Sequence, residues 1–370
     1  MKIYLDAMGG DNAPQAPAEG AREALERYEG LEIELAGPIE QVKAAVDAAF
    51  QGADPALRAR LVLTDCPEVI TNCEAPVMAV RRKKQSAIVD GMLKLRDGKV
   101  DAFVSAGSTG AVLSGGMFRL GRLRGIDRPA LAPLLPNGKG YFLLIDCGAN
   151  VDCRPEYLHQ FAMMGSAYMR YYSRAEAQDG EDGVARGSYR VRGDMILTQN
   201  DIENHIIYPL QKEAYALLAA DKRLNFVGNV EAREITHDQA DVIVCDGFVG
   251  NVILKFMEGV AGTLMGIIKK ELLSDTRSKL GALLAKPAFG RVKKAMDYSE
   301  VGGAPLLGIS KPVVKAHGSS DARAFRMAIR AAINYAQSDA VYEMARAVNE
   351  FDAAKRAAKA AVAGETGAKE

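Results

Sequence analysis

Five short segments of this chain combine glycine with a carboxylate, an amide, a hydroxyl or an imidazole. Asp6-Ala-Met-Gly9-Gly10-Asp11 sets paired glycines between two carboxylates, and glycine lets a backbone approach a ligand closely and adopt positive φ. Ser105-Ala-Gly107-Ser108-Thr109-Gly110 is a hydroxyl-rich turn leading into a helical pattern, an arrangement that aims free N–H groups at an anion. The other three are Asp146-Cys-Gly-Ala-Asn150, Asp246-Gly-Phe-Val-Gly-Asn251 and Lys315-Ala-His317-Gly318-Ser319. Lysine beside histidine can neutralise charge or deliver a proton. Each segment also has a plainer reading. Residues 105–110 could be a tight turn with a helix cap, Asp146 and Asp246 caps or ion-pair partners, and His317 a structural hydrogen-bonder. One such loop says little, but five imply a shared cleft for an anionic ligand. Neither a Gly-Lys-Ser/Thr phosphate loop nor a Gly-x-Gly-x-x-Gly fingerprint is present, so a dinucleotide is not indicated.

The elements that carry these loops are legible as apolar runs. Lys2–Asp6, Glu32–Ala36, Arg60–Thr64, Val100–Val104, Tyr141–Asp146 and Ala240–Asp246 read as strands, with helices near Gln15–Tyr28 and Glu40–Phe50. Continuous apolar strands alternating with helices argue an α/β fold with a parallel sheet covered on both faces. In such sheets ligands bind beyond the carboxyl ends of the strands, where the five segments fall.

The chain has 370 residues, 48% of them hydrophobic and 25% charged, with a formal net charge of zero. That balance argues against general nucleic-acid binding. Five scattered cysteines with no Cys-x-x-Cys pair, and only four histidines, argue against a zinc site, so no metal is expected. Asp6 stands where a signal peptide would still be apolar, and no stretch approaches about 18 uncharged apolar residues. The expectation is a cytoplasmic protein with no membrane span.

Residues 251–297 read as a helical hairpin too apolar to stand alone in water, with a polar stripe at Lys255, Glu258, Gly262, Gly266 and Lys269. Its basic residues, among them Lys269, Lys270, Lys279, Lys286 and Lys293, outnumber Glu258, Glu271 and Asp275. It could be a solvated face, a contact with a second subunit, or a surface for an acidic partner or anionic lipid with Leu283 and Leu284 as apolar anchors. Residues 1–350 read as one large domain, and 351–370 as an Ala- and Lys-rich tail.

The segments DAMGGDNAP (6–14), SAGSTGA (105–111), DCGANVDCRPE (146–156), NFVGNVE (225–231), DGFVGNVILKFMEG (246–259), DYSEVGGAPLLG (297–308) and KAHGSS (315–320) together resemble the phosphate acyltransferases of bacterial phospholipid synthesis. The resemblance implies a Rossmann-like layered sheet of the isocitrate and isopropylmalate dehydrogenase type. It also implies a cytosolic homodimer that attaches peripherally to the membrane surface. The implied reaction moves a fatty acyl group from acyl-acyl-carrier protein to inorganic phosphate, with no cofactor. Direct transfer in a ternary complex needs two substrates held in attack geometry. Lys315 and His317 would neutralise charge or protonate the leaving sulfur, with Asp246, Asn251 and Asn150 orienting them. Gly9, Gly10, Gly107, Ser108, Thr109 and Gly110 would cradle phosphate or the oxyanion, and Asp6, Asp11, Ser105, Asp146, Gly318 and Ser319 would complete the site. Residues 174–212 depart from the family pattern, which leaves a non-catalytic carrier-protein or membrane binding module as the alternative.

Overall fold

A computed structural model describes residues 1–178, 190–193, 209–296 and 302–350, with side chains for 1–172, 210–292 and 302–350. Most of segment 174–212, the tail 351–370 and the side chain of Lys293 lie outside the described residues.

The strands are β1 Lys2–Asp6, β2 Glu32–Gly37, β3 Leu61–Asp65, β4 Ala102–Ser105, β5 Ala130–Leu131, β6 Leu134–Pro136, β7 Tyr141–Ile145, β8 Arg190–Gly193, β9 Asn225–Asn229, β10 Val242–Val244, β11 Ala304–Leu307 and β12 Val313–Lys315. The helices are α1 Gln15–Arg27, α2 Ile39–Ala49, α3 Pro55–Ala59, α4 Pro76–Arg82, α5 Ala87–Arg96, α6 Thr109–Gly115, α7 Pro155–Gln178, α8 Pro209–Ala220, α9 Gly247–Leu272, α10 Thr276–Met296 and α11 Ala322–Gln337. The six apolar runs read from the sequence are all strands, with ends that differ by at most two residues.

Two sheets form instead of one. The first runs β3-β2-β1-β4-β12-β11-β5, the second β6-β7-β10-β8-β9. The parallel half of the first sheet matches its sequence pattern, since β4 is wholly buried and β1 and β2 nearly so. The sheets are mixed, which corrects the all-parallel expectation: β11 pairs antiparallel with β12 and β5, and β6 with β7. Strands as short as β5 and β6 carry too few residues for a period to register. Only two residues separate β5 from β6, so the chain steps from one sheet to the other there. Apolar side chains from both sheets, with α1, α7 and α11, form one continuous core. Separate clusters sit under α4–α6 and under the first turns of α9.

The opposite face of α9 has no cover along its length among the described residues. Phe248, Val252, Phe256, Val260, Leu264 and Ile267 are all 45–70% exposed. The turn at residues 273–275 returns the chain into α10, which packs on α9 and leaves Leu280, Leu283 and Leu284 open to solvent. With a mean hydropathy of 1.4 in its most apolar window, α9 is by length and composition alone long and apolar enough to cross a membrane. The reason is that only Lys255 and Glu258 are charged between Gly247 and Ile268.

Candidate active site

Strands β1, β4 and β12 end side by side, which brings three of the glycine loops together. Asp6 at the end of β1 is buried and accepts from Ser105 Oγ at 2.7 Å. Ser105 Oγ in turn accepts the Gly107 N–H at 3.0 Å. The Asp11 N–H donates to the Gly318 carbonyl at 2.7 Å, and Asn12 Nδ2 donates to the Ser320 carbonyl at 3.1 Å. Glycine is required in the first loop because the loops press together. A Cβ on Gly9 would lie 2.5 Å from Gly107 N, and Gly10 has φ +97° with a would-be Cβ 2.8 Å from the Gly318 oxygen. The paired glycines therefore serve loop-to-loop packing.

A cleft of about 350 Å³ opens over these loops, between the two sheets and the start of α9. Asp11, Gly107, Thr109, Lys315, His317, Gly318 and Ser319 line its polar end, facing Asn251, Lys255 and Glu258 from α9. Leu131, Pro133, Leu134, Leu135, Cys147 and Leu254 form an apolar wall.

The charges in the cleft are fixed by few contacts. Lys315 is buried, its Nζ donates to the Ala316 carbonyl, and burial pushes its pKa down to about 8 against the attraction of Asp6. Burial likewise pushes Asp6 up, opposed by the Ser105 hydrogen bond. His317 is held at both ring nitrogens. Ser319 lies at Nδ1 (Oγ at 2.8 Å), while Lys255 Nζ and Glu258 Oε2 lie 2.5 and 3.5 Å from Nε2. Burial raises the Glu258 carboxyl, but hydrogen bonds from His317 and Lys255 prevail and hold it below the usual range. Ser108 caps α6, its Oγ accepting from the Ala111 N–H at 3.4 Å. The N–H groups of Thr109 and Gly110, at the mouth of that helix, meet no protein acceptor among the described residues.

The other sequence-derived candidates sit behind the cleft wall. Asp146 at the end of β7 is fully buried, and its oxygens accept the N–H groups of Leu131, Ala149 and Asn150 and the Asn150 side-chain amide. Burial still raises its pKa to about 6. Asn150 Nδ2 also donates to the Pro129 carbonyl, so this pair ties the second sheet to β5. Asp246 caps α9 by accepting the Val249 N–H at 2.9 Å. Gly250 has no room for a side chain, since a Cβ would lie 1.9 Å from the Asp146 backbone carbonyl oxygen. These residues set the angle at which α9 enters the cleft and do not line it. Lys269, Lys270, Lys279, Leu283, Leu284 and Lys286 lie on the exposed helices, away from the cleft.

Sequence reasoning missed Lys255 and Glu258 as site residues. Their signal was present, for Asn251, Leu254, Lys255 and Glu258 recur at the spacing of one helix face. In the sequence they belong to a polar stripe, because nothing there shows which way α9 faces.

From residue 1 to 343 the sequence matches a family described as fatty acid synthesis protein. A phosphate acyltransferase of Clostridium perfringens is 42% identical over 96% of this chain and 100% of its own length. Another, from Alkaliphilus oremlandii, is 43% identical over 94% of this chain and 98% of its own length. The chain belongs to the phosphate acyltransferase family. The phosphate acyltransferase fold is shared with solved structures of low sequence identity. A phosphotransacetylase from Streptococcus pyogenes superposes with a TM-score of 0.55 at 18% identity, covering 91% of this chain and 94% of its own. A branched-chain phosphotransacylase from Enterococcus faecalis gives 0.54 at 13% identity, covering 91% and 99%.

Proposed function

We propose that this chain transfers a fatty acyl group from the thioester of acyl-acyl-carrier protein to inorganic phosphate, giving an acyl phosphate. The observation that carries the reading is the two-part cleft. A polar end, with Lys315, Lys255, His317 and the open N–H of Thr109, adjoins an apolar wall suited to an acyl chain. Charge-assisted donors are the strong ones for phosphate. Phosphate held there attacks the thioester carbonyl, and the N–H of Thr109 receives the developing oxyanion. The C–S bond then breaks, and the electron pair leaves on sulfur. His317 protonates that sulfur, and the proton which monohydrogen phosphate gives up restores the balance. Among the sequence-derived candidates, Lys315, His317, Asn251, Asp11, Thr109, Gly318 and Ser319 contact substrate in this scheme, whereas Asp6, Ser105, Asp146, Asn150 and Asp246 position them. Relatives that span almost the whole chain at about 42% identity and carry a catalytic name do not favour the non-catalytic binding module.

The layered sheet, read as the Rossmann-like type, has α9 and α10 as its helical hairpin. The hairpin's open apolar stripe and basic residues suit a second copy of the chain, the acidic carrier protein and an anionic membrane surface. Surface attachment of a cytoplasmic protein fits better than spanning, because the first turns of α9 hold Lys255 and Glu258 in the cleft. Incorporation of ³²P-labelled phosphate into an acyl phosphate, trapped as the hydroxamate, tests the reaction. Label that stays in inorganic phosphate while the thioester persists would refute it.

A further inference from the structure

The polar end of the cleft holds a carboxylate where an anion must sit. The Glu258 side chain is 15% exposed, and its Oε2 lies 2.9 Å from Lys255 Nζ and 3.5 Å from His317 Nε2. Its Oε1 is shut off from solvent and meets no donor among the described residues. A buried acceptor left unmet carries its full desolvation penalty, so this oxygen suits a donor that arrives with the substrate. A carboxylate beside an anion repels it unless a proton lies between the two. Monohydrogen phosphate brings that proton on its P–O–H group, whereas sulfate at neutral pH has none.

We propose that Glu258 is a specificity-determining residue: Oε1 accepts the O–H of monohydrogen phosphate, which favours it over fully ionised oxyanions and fixes which oxygens are free to attack. The proposal rests on the phosphate-transfer reading above. The two carboxylate oxygens are equivalent and the last torsion is soft. The carboxyl therefore turns one of them to the phosphate O–H while Lys255 and His317, which line the same cleft, keep hold of the other. The hydrogen bonds from Lys255 and His317 keep the group ionised and able to accept. The same contact routes the proton. Monohydrogen phosphate loses one proton as its oxygen bonds to the acyl carbon, and the leaving thiolate gains one. Glu258 takes the first and His317, next to Oε2, supplies the second, so the pair returns to its starting state when one proton passes between them.

The test uses the full chain with an acyl thioester, following thiol release while phosphate is varied against sulfate. On the wild type, the inhibition constant of sulfate exceeds the KM of phosphate by about tenfold or more, the scale of a hydrogen bond to a charged group. Arsenate, which also carries an O–H, replaces phosphate at a comparable KM. Glu258→Gln removes the charge and brings the two constants within about threefold. Glu258→Asp retains part of the preference, and thermal unfolding of each variant reports its fold. Sulfate competing as strongly as phosphate on the wild type overturns the proposal even if no variant folds. Full preference retained by folded Glu258→Gln overturns it as well. Absence of phosphate-dependent release by the wild type overturns the underlying reading instead.

Discussion

Lys315→Met removes the cation at the floor of the cleft while keeping a side chain of similar length, and its two effects have opposite signs. Burial lowers the Lys315 pKa from 10.5 to about 8. At roughly 1.4 kcal/mol per unit, holding the charged form in the fold costs about 3 kcal/mol. The folded pKa lies below the unfolded one, so the folded state binds fewer protons between those values. The penalty is complete below pH about 8 and disappears as pH rises past the unfolded value. At neutral pH the variant is therefore more stable by up to about 3 kcal/mol, a net figure that already includes the attraction of Asp6, and its Tm rises by a few degrees. Activity moves the other way. Loss of a charge-assisted contact to phosphate lowers kcat/KM for phosphate by about 10- to 100-fold and removes the Tm rise that phosphate gives the wild type. In the wild type, kcat/KM for phosphate falls about tenfold per unit as pH climbs above about 8, where the cation is lost. Lys315→Arg keeps its charge and moves that limb upward. Thermal unfolding with and without phosphate, and kinetics from about pH 6 to 9.5, read all of these. A Lys315→Met variant that is less stable at neutral pH yet turns over normally would mean that Lys315 neither strains the fold nor holds phosphate.

His317→Gln should lower kcat by about 10²- to 10⁴-fold while phosphate still raises Tm; normal turnover removes His317 from the chemistry. Gly10→Ala places a side chain at φ +97° against the Gly318 oxygen. Denaturant unfolding should show a loss of about 1–3 kcal/mol, and an unchanged midpoint contradicts the packing of the two loops. Phe256→Glu, at a site 70% exposed, should shift the mass seen by light scattering toward monomer and make Tm independent of protein concentration. An unaltered dimer moves the interface elsewhere. Leu284→Asp at the tip, 77% exposed, should weaken flotation with anionic vesicles without altering turnover of a soluble thioester.

The parts of this molecule that obey a period were readable from sequence. β1, β2, β4 and β7 announced themselves because both their faces are buried; β1 ends on Asp6 and the loop after β4 leads to Thr109. Which loops share a cleft depends on strand order, and that order is set by contacts far apart in sequence. Lys315 and Ser105 are partners across β12 and β4, 210 positions apart. The same limit explains Asp146, which looked like a ligand but spends its oxygens on backbone N–H groups of β5 and its own loop. It explains Glu258 in reverse, since a charged residue on an apolar helix reads as solvated until the helix is seen to lean over the cleft.

The central claim is that phosphate is the acyl acceptor. The most direct measurement follows thiol release from acyl-loaded carrier protein by the purified chain, with and without inorganic phosphate. Release should occur only with phosphate, matched by acyl phosphate mole for mole. Release that is indifferent to phosphate, or carrier-protein binding with no release at all, would contradict it.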